Sequence, residues 1–191
     1  MKQFLICAFF LLSLVAVKAQ EDVNKYKDFQ QAGRDNIIAG EYEKAVANFD
    51  SALNIMEYSS SSYYERGFAQ MELKNYSEAI ADFSKVIELA PHKYYAYTNR
   101  AICYLQQDKI MTAKRDIDKA LELDPENEQA RELRAEINQA LAYINQQQQE
   151  KLNQMQYQEE LIRRQRRREN AAIIAGTLIP LAFWTTIFLT W

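Results

Sequence analysis

The sequence predicts an all-α fold: a solenoid of three helical hairpins with a capping helix, then a long C-terminal helix and a transmembrane helix. The first observation behind this is a period. Between residues 26 and 127, Gly33, Gly67 and Ala101 recur at a 34-residue step, and Ala45, Ala79 and Ala113 keep the same step. The second is that Phe49, Phe83 and Ile117 repeat at that step in another phase, with Pro91 and Pro125 closing the last two copies. Small residues in one phase and large apolar ones in another are what stacked helical hairpins need. A glycine inside a helix costs about 1 kcal/mol relative to alanine, so two in one phase imply a packing reason. The third is an apolar run at each end of the chain, outside the period.

At 191 residues the chain holds one domain with appendages rather than two full cores. Its net charge of −3 conceals an asymmetry: residues 20–162 carry 16 basic and 25 acidic side chains, whereas residues 163–169 carry five arginines and one glutamate. An acidic folded part repels nucleic acid, so no nucleic-acid partner is expected. The two cysteines build no disulfide framework. Cys7 lies in the leader, and Cys103, at an inward phase, reads as a small buried hydrophobe.

Residues 1–19 open with Lys2, continue through an uncharged stretch from Phe4 to Val17 and end on Ala19. That is the pattern of a secretory signal peptide, and the run is too short to span a bilayer comfortably. A short acidic lead-in, Gln20 to Asn24, follows. From Lys25 the pattern is helical, with Tyr26, Phe29, Gly33 and Ile37 on one face. Ala39 and Gly40 break it before a second amphipathic helix carrying Ala45, Phe49, Ala52 and Leu53, and Ser59 to Ser62 form a polar connector. The same plan recurs with turns at Lys74–Asn75 and Gln107–Lys109, and the prolines end the hairpins because they cannot continue a helix.

The strings GEYEKAVANFDSAL, KNYSEAIADFSKVIELAP and QDKIMTAKRDIDKALELDP resemble tetratricopeptide repeats, in the order turn, aromatic or Ile, Ala, Phe or Ile, Ala or Val, and final Pro. On that resemblance the repeats are residues 26–59, 60–93 and 94–127. Glu57 stands in place of the first copy's proline, and Lys74 replaces a turn glycine, which suggests a looser turn. Residues 128–144, with Ala130, Leu133, Ile137, Leu141 and Ile144 on one face, read as a capping helix for the exposed end of the stack. Residues 145–169 are a Gln/Arg-rich helical stalk without a sustained heptad.

Residues 171–191 hold no charge, and a 21-residue helix is about 31 Å long, close to the hydrocarbon thickness of a bilayer. Pro180 interrupts it, and Trp184 and Trp191 suit an interface. The segment therefore reads as a membrane anchor, with Arg163, Arg164, Arg166, Arg167 and Arg168 as candidate contacts for lipid headgroups. Export by the leader places those arginines on the translocated side, against the positive-inside bias, although long translocated domains override it. The expected location is a membrane, with the soluble domain extracytoplasmic after signal cleavage, on the periplasmic side if the source is bacterial.

No catalytic or metal-binding constellation emerges, and no cofactor is expected. His92 is the single histidine and follows Pro91 in a connector, and no glycine-rich strand-to-helix loop is present to hold phosphate. The resemblance instead implies a binding protein, because in tetratricopeptide domains the first helices of successive hairpins line a concave groove for a protein or peptide segment. Carried over, that face holds Lys27, Gln30, Gln31, Arg34 and Ile37, then Tyr64, Glu65, Phe68 and Met71, then Tyr95, Thr98, Asn99, Ile102 and Leu105. The principal candidates are Arg34, Tyr64, Phe68, Met71, Tyr95, Asn99 and Ile102. Family members that clamp the terminal carboxylate of chaperones use lysines, an arginine and asparagines there. Gln30, Arg34, Glu65 and Tyr95 fill most of those places here, which disfavours such a clamp. The expected function is a membrane-anchored, exported, non-enzymatic scaffold. The rivals are a structural spacer that self-assembles and a cytosolic tail-anchored co-chaperone-like adaptor; the oligomeric state stays open.

Overall fold

The computed structural model describes residues 2–189, with side chains over 16–176, and every element among them is an α-helix. The order is α1 (Lys2–Ile38), α2 (Tyr42–Ile55), α3 (Ser60–Glu72), α4 (Tyr76–Leu89), α5 (Tyr94–Leu105), α6 (Ile110–Leu123) and α7 (Glu128–Leu189). The chain divides into two units, residues 1–138 and 139–191.

In the first unit, α1 with α2, α3 with α4 and α5 with α6 form antiparallel hairpins, and each hairpin packs on the next through α2 on α3 and α4 on α5. The periodic residues are its core. Ala45, Phe49, Ala79, Phe83, Ala113 and Ile117 are completely buried. The glycines answer to the aromatic rings: a Cβ on Gly33 would lie 2.6 Å from the Phe49 ring, and one on Gly67 would lie 3.0 Å from Asp82 Cβ and 3.1 Å from the Phe83 ring. No such approach is possible for a real side chain at Gly33 without displacing Phe49.

The hairpin turns are the same in all three copies. Gly40, Lys74 and Asp108, which share the step of the repeat, all take left-handed backbone, with φ of 74°, 62° and 57°. Gly40 N–H donates to Ile37 O, Lys74 N–H to Met71 O and Asp108 N–H to Leu105 O. The next N–H in each turn also reaches back, from Glu41 to Asn36 O, from Asn75 to Gln70 O and from Lys109 to Tyr104 O. The looser turn expected at Lys74 is therefore corrected. The two backbone bonds and the packing of the hairpin impose the glycine conformation on a lysine, at a steric cost of about 1–2 kcal/mol.

The serine connector is also corrected. Ser59 is the N-cap of α3, and its side chain accepts from Ser62 N–H at 3.2 Å; Ser60 to Ser62 are already helix. Serine has a low helix propensity in the interior but satisfies an orphan N–H at the start of a helix, so four in a row mark a boundary rather than a loop.

A second periodic device ties the hairpins together. Arg66 Nε and Nη2 donate to Asp82 at 2.9 and 2.6 Å, and Arg100 Nε and Nη2 donate to Asp116 at 2.7 and 2.8 Å. The remaining nitrogen of each reaches the preceding hairpin, Asp50 for Arg66 at 2.6 Å and Ser84 for Arg100 at 2.9 Å. The hydrogen bonds they donate to the buried carboxylates of Asp82 and Asp116 hold both guanidiniums above their ordinary pKa.

α1 runs without a break from Lys2, so the helical pattern begins before Lys25. Glu21–Lys25 at 2.7 Å and Gln20–Asn24 at 3.1 Å stitch the lead-in across one turn. The side chains of residues 1–15, which make up most of the predicted leader, and those of 177–191, which make up most of the predicted anchor, lie outside the described residues. Among the described residues no helix is long and apolar enough to cross a membrane. α7 buries Ala130 and Ile137 in the first unit. In the second unit it is exposed from Ala142 to Gly176.

Candidate functional site

The first helices touch one another across the stack, α1 with α3 and α3 with α5, whereas the second helices make no comparable contact. That inequality puts α1, α3 and α5 on the inner side of the curve. Their shared face is the candidate site.

At the middle of this face Asn99 Nδ2 donates to Tyr64 Oη at 3.0 Å. The Tyr64 ring meets Tyr95 edge-on at 4.7 Å and packs 5.9 Å from Phe83, so it links the surface to the core. Burial holds the Tyr64 phenol above its usual pKa. Lys93 Nζ sits 5.8 Å from the Tyr95 ring centroid. Arg34, on α1, donates through Nε to Glu65 Oε1 at 2.7 Å. The other oxygen, Glu65 Oε2, is buried and meets no hydrogen-bond partner among the described residues. Desolvation holds that carboxyl above the ordinary range despite Arg34.

Of the predicted residues, Tyr64, Phe68, Met71, Tyr95 and Ile102 are half-buried, Arg34 is exposed and Asn99 is buried. Tyr64 and Met71 also pack against Ala79, Phe83 and Cys103. Two residues carried over to the groove face belong to the interior instead. Gln30 is buried and donates to Ser61 and Ser62 at 3.0 and 2.9 Å, and Thr98 is buried and donates to Tyr94 O at 3.3 Å. The family resemblance put them on the inner face; the short serines of the next hairpin leave Gln30 a buried space to fill. The residues that the sequence reading missed are Arg66, Asp82 and Asp116, although their spacing is legible: Arg66 and Arg100, like Asp82 and Asp116, are separated by the step of the repeat.

Arg163, Arg164, Arg166, Arg167 and Arg168 are all exposed on α7. Cys103 is fully buried against Ala79 and Phe83, and burial pushes its thiol up to about 11, which leaves it unreactive. Among the described residues no group of His, Cys, Asp or Glu is arranged to hold a metal ion. A hollow lined by residues such as Gln154, Met155, Gln158 and Ile162 is a gap between side chains of the single helix α7 rather than a built pocket.

The tetratricopeptide repeat family model matches residues 60–93 and 94–127. The first tetratricopeptide domain of Spaghetti (RPAP3), solved with the HSP90 peptide SRMEEVD, is 26% identical with a TM-score of 0.60, covering 62% of this chain and 94% of that one. The second such domain of human RPAP3, in complex with the HSP70 peptide SGPTIEEVD, is 22% identical with a TM-score of 0.59, covering 61% and 98%. The TPR2B domain of yeast Sti1, in its pHsp70 complex, is 22% identical with a TM-score of 0.58, covering 61% and 98%. The last two likenesses speak for the fold alone. No curated protein sequence matches the chain. Helical hairpins, one shared step and a matching family pattern over residues 60–127 together make this an all-α solenoid that carries tetratricopeptide repeats.

Proposed function

We propose that the chain is a non-enzymatic scaffold whose α1–α3–α5 face binds a protein or peptide segment, and that its C-terminal helix holds the scaffold on a membrane after export by the leader. The observation that carries the binding reading is the row Phe68, Met71, Tyr95 and Ile102, half-buried side chains on α3 and α5 that keep part of their surface exposed, Met71 while also touching the core. Aromatic anchors supply much of the energy of such interfaces, and methionine adjusts its shape. The likeness to a domain solved with an HSP90 peptide supports a segment as the partner. Glu65 stands on the same face and disfavours a terminal carboxylate at that point.

Phe68 and Ile102 are the residues to test, because Tyr64 also supports the core. A Phe68→Ala, Ile102→Ala double variant should keep its helical circular dichroism and lose at least tenfold in affinity for peptides selected from a random library on the wild-type protein. Unchanged affinity would remove the groove from the account. A second reading, a spacer that self-associates through α7, is favoured by the exposure of Leu152, Met155 and Ile162. Deleting residues 145–162 and measuring mass in solution separates the two, since only the spacer changes oligomeric state.

A further inference from the structure

The arginine run of α7 is not uniform. Glu159 and Glu160 lie one turn before Arg163 and Arg164 and pair with them at 3.9 and 2.7 Å, and Glu169 accepts from Gln165 at 2.9 Å. Among the described residues no carboxylate forms an ion pair with Arg166, Arg167 or Arg168. At 100° per residue these three wrap more than half of the helix circumference, yet they occupy only about 3 Å of its axis. A helix lying flat on a surface cannot bring all three to it. A helix that enters a bilayer end-on sets all three within one headgroup layer, which is about 6 Å thick. The residues that follow, Ala171 to Gly176, are uncharged, with Ile173 and Ile174 exposed.

We infer that Arg166, Arg167 and Arg168 form a collar that selects anionic lipid headgroups around the entering helix, while Arg163 and Arg164 serve the helix itself. The inference rests on the proposed membrane anchoring and adds the class of lipid and the residues that read it. Anionic headgroups complement the +4 charge of residues 163–169, and the acidic remainder of the stalk and repeats is repelled from the same surface. Each arginine near such a surface is worth about fivefold in partitioning, so three give on the order of a hundredfold.

The test is flotation of the full chain at limiting lipid, with vesicles of phosphatidylcholine alone and with vesicles of phosphatidylcholine and phosphatidylserine mixed two to one. Wild type should partition at least tenfold better into the anionic vesicles. An Arg166→Gln, Arg167→Gln, Arg168→Gln variant should fall to the neutral-vesicle level, and an Arg163→Gln, Arg164→Gln variant should keep the preference. Equal wild-type binding to both vesicles would overturn the collar and leave the anchor standing; binding to neither would overturn both. Equal loss in the two variants would remove the assignment to these three residues. An RNA gel shift lost only in the triple variant, without a lipid preference, would transfer the run to nucleic acid and overturn the inference.

Discussion

The repeats and the distal part of α7 are both helical, yet they are held by different means. Between Tyr42 and Leu123, α2, α4 and α6 each bury an alanine–aromatic or alanine–aliphatic stripe. Each arginine–aspartate fork clamps the two helices of one hairpin, and the third nitrogen of the same arginine reaches the hairpin before it. Beyond Asn138, Leu152, Met155 and Ile162 are 46%, 56% and 51% exposed, and the side-chain bonds there run from one turn to the next, as in Gln146–Glu150, Gln149–Asn153 and Glu160–Arg164. Such pairs stabilise a helix by about 0.2–0.5 kcal/mol each. The difference shows that tertiary burial, rather than local propensity, separates a cooperative domain from a stalk that is helical only by its own backbone.

The largest contrast is expected from removing one charge in each region. Asp116→Ala strands Arg100, whose partner is only 10% exposed, and should cost about 3–5 kcal/mol in urea unfolding of the repeats followed by circular dichroism. Glu160→Ala, an exposed helix pair, should cost no more than about 0.5 kcal/mol. Equal effects would erase the distinction.

Glycine gives the next test. Gly33→Ala drives a methyl group into the Phe49 ring and should destabilise by about 1–3 kcal/mol, whereas Gly176, with nothing within 4 Å of its missing Cβ, should accept alanine with a gain of up to about 1 kcal/mol in local helix stability. Thermal melts read the first, and amide exchange across α7 reads the second.

Lys74→Gly relieves the left-handed strain of the second turn and should stabilise the repeats by about 0.5–1 kcal/mol. The smallest effect is a pH slope. Burial raises the folded-state pKa of Glu65, so its contribution is fully present below the unfolded carboxylate pKa and is lost as pH rises through the raised value. Glu65→Gln should flatten the fall in melting temperature over that window, and an unchanged slope would show that this carboxyl is not the source.

The period made the hairpins legible because backbone and core repeat together: Gly33 with Phe49 and Gly67 with Phe83 are readable as pairs once their common step is seen. Lys74 misled because residue type alone says nothing of a φ imposed by two backbone hydrogen bonds that reach back to α3. Gln30 and Thr98 misled because a family resemblance assigns a face, not the depth of the neighbour that covers it. The fork at Arg100 and Asp116 was hidden by its separation along the chain, too long for any helix rule. Glu65 was legible as a groove residue, but its stranded oxygen emerges only when α1 and α3 are side by side.

Hydrogen exchange of the full chain, with and without a peptide selected on it, tests most directly whether the repeats, rather than the stalk, carry recognition. Protection confined to Tyr64–Met71 and Tyr95–Ile102, with residues 145–170 unchanged, is the predicted result. Protection along residues 145–170 with those two segments unaffected would contradict it.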